Sequence, residues 1–241
     1  MDPGIRLKEA RTAVEDGKYE DALNAYLWIH QHALEYNRAF SGVRLSYALD
    51  EWIALGALYP KALQALTDIR DEKSAVLRAG DGDFELFHDV ASINEYLADE
   101  LETARLYQVI SALSPDLAQR CAHAALPALL AAGDFALARR HMPDPDESIR
   151  WQAPMLDRQI ARIKCQPYSP APHRWAVISN YAEEVRRTLT ILRACGEHAE
   201  ADRHRALALQ LIQNPSVRRE VAAGLVKPVK PPRFWRRSQG K

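Results

Sequence analysis

His88-Asp89 is the most suggestive pair for chemistry in the chain. A neutral imidazole beside a hard carboxylate supplies donors that a first-row metal ion accepts, and a metal-bound water would make the pair the start of a hydrolase site. Such a site needs further ligands. His30 or His32 upstream and Asp99 or Asp116 downstream are the candidates, at spacings without pattern. Cys195 and His198, with His204 nearby, form one half of a zinc-type arrangement that lacks its other half. His30 and His32 stand two apart and point to different sides of a helix, so they do not chelate together. No phosphate-binding glycine loop, nucleophile elbow or HExxH is present. Glu183, Glu184, Asp144, Asp146 and Glu147 fall at helix starts, where the helix dipole accounts for them. No cofactor or structural metal is expected.

A second chemistry sits at the C-terminus. Residues 216–241 hold eight Lys or Arg against the single acid Glu220, while residues 1–215 hold 24 against 31 acids. The neutral total therefore conceals a split chain. Lys227, Lys230, Arg233, Phe234, Trp235, Arg236 and Arg237 form a basic, aromatic-bearing stretch interrupted by three prolines. Residues 226–241 are expected to be a flexible tail that folding does not need. Phe234 and Trp235 could stack on a nucleic acid, with binding that weakens steeply with salt.

These side chains must be positioned by helices. Tyr19, Ala22, Tyr26, Ile29, Ala33 and Tyr36 recur every three or four residues, and alternating strand-type runs are absent. Gly, Pro and capping residues divide the chain into about 11–12 helices, near 2–16, 18–37, 41–58, 60–80, 84–97, 100–113, 115–132, 134–142, 146–165, 173–195, 197–212 and 215–223. The short connections predict antiparallel hairpins. The expected fold class is all-α, one domain over 1–225 with a subdivision near 143–146. There is no secretory signal and no apolar run long enough to span a bilayer, so no membrane is expected. Cys121, Cys165 and Cys195 are widely spaced and read as reduced, buried thiols of a cytoplasmic protein.

The hairpins share a motif of glycine, aromatic residue two positions on and alanine three further. Gly17, Tyr19 and Ala22 fit it, as do Gly133, Phe135 and Ala138. Gly196 and Ala201 fit with His198 at the aromatic position, Tyr59 and Ala62 fit without the glycine, and Ala104 keeps only the alanine. Glycine permits a tight turn with positive φ, and alanine lets two helices approach closely. The chain resembles the tetratricopeptide-repeat superfamily on these residues. That resemblance implies a right-handed α-solenoid of stacked hairpins, each too small to bury its own apolar face.

The resemblance also implies a concave groove, lined ten and six residues before each turn. Those positions are Leu7 and Arg11, Tyr47 and Glu51, Asp89 and Ile93, His123 and Pro127, and Arg186 and Thr190. Leu7, Tyr47 and Asp89 stand where the family's peptide-carboxylate clamp needs bases or amides, so that ligand is not expected. The inserted helix near 146–165 would fill part of the groove. The expected function is binding of another protein or peptide, or self-association, without catalysis. The alternatives are an all-helical metal-dependent hydrolase on His88 and Asp89, and polyanion binding by the tail.

Overall fold

The structure is a computed structural model that describes residues 1–163 and 170–227. Among the described residues it is all-helical, without strands. Cys165, residues 166–169 of the Pro-rich loop that the sequence places at 166–172, and the tail residues beyond Lys227 lie outside them. The rest of that expected loop, 170–172, is instead helical, since proline is tolerated in the first turn of a helix. No described helix is long and apolar enough to cross a membrane. The chain divides into two compact units, Met1–Ala132 and Gly133–Lys241, ahead of the break read from the prolines at 143–146. The division also separates charge. Residues 1–132 hold 12 Lys or Arg against 21 acids, and residues 133–241 hold 20 against 11.

In the first unit the elements are α1 (Pro3–Glu15), α2 (Tyr19–Tyr36), a 3-10 turn (Arg38–Phe40), α3 (Ser41–Arg44), α4 (Tyr47–Leu58), α5 (Pro60–Arg78), α6 (Phe84–Tyr96), α7 (Glu100–Leu113) and α8 (Pro115–Ala132). Side-chain caps set two of the starts. Asp2 accepts from Gly4 N at 2.7 Å, and Asp83 accepts from Leu86 N at 2.9 Å. The single helix expected over 41–58 is interrupted. Ser46 leaves helical geometry at φ −131°, and its hydroxyl donates back to Gly42 O at 2.6 Å, competing with the backbone ladder. The one-turn α3 that results carries Arg44 into the interior.

Each helix packs on its neighbour, α1 on α2, α4 on α5, α5 on α6, and α7 on α8. Packing also skips one helix, joining α4 to α6, α5 to α7 and α6 to α8. Ala22 and Ala62 are fully buried in their hairpins. The aromatic positions of the first two hairpins meet, with Tyr19 and Tyr59 ring centroids 6.2 Å apart and the Tyr59 hydroxyl donating to Glu20 at 2.5 Å. Buried rings also tie helices through their polar ends: Trp52 Nε1 donates to Ala62 O and Tyr107 OH to Ala118 O, at 2.8 and 2.9 Å. Gly56 does not turn the chain. A Cβ there would lie 2.9 Å from Leu63 Cβ, so this glycine lets α4 and α5 approach.

The third hairpin corrects the repeat register. Gly17 turns at φ 73°, as its motif predicts, and the corresponding residue between α6 and α7 is Ala98, at φ 55°. The motif placed that turn one residue later, at Asp99. Thr103, 2% exposed, therefore holds the place of Ala22, and its hydroxyl accepts from Asn94 Nδ2 at 3.0 Å. Ala104 is buried beside it. The Cβ of Ala98 crowds its own backbone in this conformation. Ala98→Gly is expected to raise stability by about 1 kcal/mol, because glycine adopts positive φ without that strain. Urea denaturation checks it, and an unchanged midpoint would sink the expectation.

The second unit comprises α9 (Phe135–His141), α10 (Pro145–Ile163), α11 (Pro170–Ala194), α12 (His198–Gln210) and α13 (Pro215–Val226). The long α11 packs against all four others. Ile160, Ile178, Val185, Leu192, Ala208 and Val217 are among its core residues. Gly196 turns at φ 81° between α11 and α12, with Ala201 fully buried. Gly133 has the expected φ of 73° and Ala138 is fully buried. The hairpin expected around Gly133 and Phe135 nevertheless falls on the boundary between the units, and α9 packs on α11. The inserted helix α10 packs on α11 and α12.

Candidate functional site

Four helices of the first unit bring titratable side chains into its interior. His30 comes from α2, Arg44 from α3, Lys73 from α5 and Asp89 from α6. Arg44 and Asp89 are 4% and 5% exposed. The Arg44 guanidinium forks onto Asp89, with Nη1 3.1 Å from Oδ2 and Nη2 on Oδ1. Arg44 Nη1 also donates to His30 O at 3.2 Å. The Lys73 ammonium donates to Asp89 Oδ2 and to His30 Nε2, the latter at 2.9 Å. Burial, then the charges of Lys73 and Arg44, push the His30 imidazole down to about 3. Burial alone would raise Asp89. The hydrogen bonds and charges of Arg44 and Lys73 outweigh it and hold the carboxyl below its ordinary value.

Arg44 and Asp89 border a cleft of about 400 Å³ that also reaches Arg38, Ser41, Phe84 and His88. This is where the expected hydrolase pair lies, and the geometry differs from a metal centre. Both oxygens of Asp89 are already held by cations, which would oppose a bound metal ion. His88 stacks on Phe84 at 5.4 Å, and its pKa is lowered by burial. The other candidates have separate partners. His32 pairs with Glu35 at 3.1 Å, and Asp99 accepts from Arg70 at 3.2 Å. Among the described residues no three His, Cys, Asp or Glu side chains gather to hold a metal ion. Cys195 is exposed beside the α11–α12 turn, contrary to the buried expectation, because it caps a helix end. Cys121 is buried, which pushes its thiol up to about 11. His204 lies 3.4 Å from Asp146.

The groove expected from the resemblance is redistributed. Leu7, Asp89 and Ile93 are buried. With Ala98 at the turn, the equivalent positions on α6 become His88 and Ser92. Arg11 and Glu51 do meet, as a bidentate pair with contacts of 2.7 to 3.1 Å, and Tyr26 OH donates to Glu51 at 3.3 Å. His123 and Pro127 are exposed on α8. Arg186 and Thr190 belong to the second unit. There Arg186 pairs with Glu183 and donates to Gly224 O at 3.3 Å, while the Thr190 hydroxyl donates to Arg186 O at 2.9 Å.

A different grouping stands open on adjacent helices α4 and α6. Tyr47 is 62% exposed, and Asp50 and Glu95 are exposed. Tyr96, the last residue of α6, lies half-buried against the hydrophobic core. Burial, followed by the charges of Asp50 and Glu95 and by Tyr47, raises its pKa. Neither Asp50 nor Glu95 has an ion-pair partner among the described residues. The arrangement offers the exposed ring of Tyr47 and two unpaired carboxylates, a combination that attracts cations. Asp50, Glu95 and Tyr96 were missed by the sequence reading because no local spacing links α4 to α6. No protein-family model matches the chain, and no curated protein matches it.

Proposed function

We propose that the first unit is a TPR-like, right-handed solenoid segment that binds a basic stretch of another polypeptide across α4 and α6. The skipped-neighbour packing of α4 on α6, α6 on α8 and α5 on α7 supports the repeat architecture. The grouping of Tyr47, Asp50, Glu95 and Tyr96 on two adjacent first helices carries the functional reading. An extended peptide laid across them would set its Lys or Arg heads between Asp50 and Glu95 and against the tyrosine rings. The 21 acids of residues 1–132 against 12 bases would steer such a segment in and repel acidic competitors. The role is that of an interaction protein without catalysis, and the widely spaced cysteines suit the cytoplasm.

Fluorescence anisotropy tests this with the full chain, a labelled Lys/Arg/Pro peptide and a Glu/Pro counterpart. The basic peptide is expected to bind and the acidic one is not. Asp50→Asn with Glu95→Gln is expected to weaken binding about tenfold, the size of two partly exposed charge contacts. Equal affinity for both peptides, or an unaffected double variant, would overturn the proposal.

A further inference from the structure

We infer that residues 227–241 of one copy are a ligand for the α4–α6 face of a second copy, so that the protein associates with itself head to tail. This rests on the reading of that face as a site for basic peptides. It adds the identity of one occupant, argued from charge, length and side-chain chemistry.

The charge division supplies the driving force. The acidic excess lies in residues 1–132 and the basic excess in residues 133–241, and the two cancel to a net charge of zero. Copies therefore lack the long-range repulsion that keeps strongly charged proteins apart, while their opposite poles attract.

The segment is the chemical complement of the face. Residues 227–241 contain Lys227, Lys230, Arg233, Arg236, Arg237 and Lys241 and no acid. Arginine can stack on Tyr47 while bonding Asp50 or Glu95, a double contact that its planar guanidinium favours. Pro228, Pro231 and Pro232 restrict the backbone and lower the entropy lost when such a segment is laid on a surface. Phe234 and Trp235 offer rings for the tyrosines.

Length also suffices. α13 ends at Val226, so fifteen residues follow it. At roughly 3.1 Å per residue in extended form they reach about 45 Å, whereas two packed helices are about 10 Å apart. Contacts of this kind close into a ring where the rotation between copies allows it and otherwise extend, and in either case assembly grows with concentration.

Sedimentation equilibrium of the full chain at about 0.05 M and about 0.5 M salt is the first test. A mass that rises with concentration at low salt and falls to the monomer at high salt is expected. The full-length variant carrying Lys230→Gln, Arg233→Gln, Arg236→Gln and Arg237→Gln should stay monomeric in both. A labelled synthetic peptide of residues 227–241 should bind that variant, and adding Asp50→Asn and Glu95→Gln should weaken it about tenfold.

A native chain that remains monomeric throughout would overturn the second-copy arrangement. Peptide binding that ignores the double substitution would overturn the site. A peptide that binds single-stranded oligonucleotide but not the protein would assign the segment to polyanions and overturn the inference. If the unrelated Lys/Arg/Pro peptide binds at α4 and α6 while 227–241 does not, the inference fails and the proposed function stands. If neither binds, both fail.

Discussion

Asp89→Asn will cost the first unit about 3–5 kcal/mol of stability. The substitution keeps the shape of the side chain and removes its charge. Arg44, 4% exposed, and Lys73 are then left with no anion between them, and a buried unpaired cation is the costly state. The loss is a penalty for breaking the cluster and does not measure what the intact cluster contributes. Replacing Arg44 and Lys73 with Met together with Asp89→Leu is therefore expected to recover most of it, because apolar groups of similar volume need no counter-charge. Urea denaturation followed by circular dichroism measures both. A loss under about 1 kcal/mol for Asp89→Asn would mean that water solvates the two cations.

Stability will fall steeply as the pH drops below about 6.5, and His30 is the main reason. Its imidazole is held down to about 3 in the folded chain, facing Lys73 and Arg44 as well as Asp89. The unfolded chain therefore binds this proton first. The contribution of the neutral ring is complete above about pH 6.5 and is lost as the pH falls through the folded value. Within that window the slope approaches about 1.4 kcal/mol per pH unit, so roughly 2 kcal/mol disappears between pH 7 and 5. His88, His141 and His204 are also lowered by burial and act in the same direction. Asp89, lowered by Arg44 and Lys73, extends the loss below the ordinary carboxylate range. Thermal melts of the native chain and His30→Gln at pH 7 and pH 5 test the assignment. The gap between the two pH values should narrow in the variant, and an unchanged gap would clear His30.

Local chemistry wrote most of the elements legibly. Asp2-Pro3 opens α1, Asp83 opens α6, Pro60 and Pro115 open α5 and α8, and Gly17 and Gly196 end α1 and α11. These effects involve residues within a few positions of one another, which is why sequence alone carries them. The site was less legible. Arg44 lies between Val43 and Leu45, and Asp89 is followed by Val90, so a charge inside an apolar run was the available signal for a buried pair. Their separation of 45 positions hid the partnership. The motif also misplaced a turn by one residue at Ala98, because it took alanine spacing as the guide where the backbone used a non-glycine residue at positive φ.

The sequence by itself determined that this chain is helical, where nearly every helix begins and ends, and that its charge is split. Caps, turn residues and apolar periodicity act over one or two helical turns and leave few alternatives. Only the tertiary structure decided that the division falls at Ala132–Gly133, that α9 packs on α11, that Asp89 belongs to a cation-filled cluster, and that α4, which carries Tyr47 and Asp50, packs on α6, which carries Glu95 and Tyr96. Those outcomes depend on which apolar surfaces and charges find one another across tens of residues. Burial and pairing decide that competition, and both are properties of the packed chain.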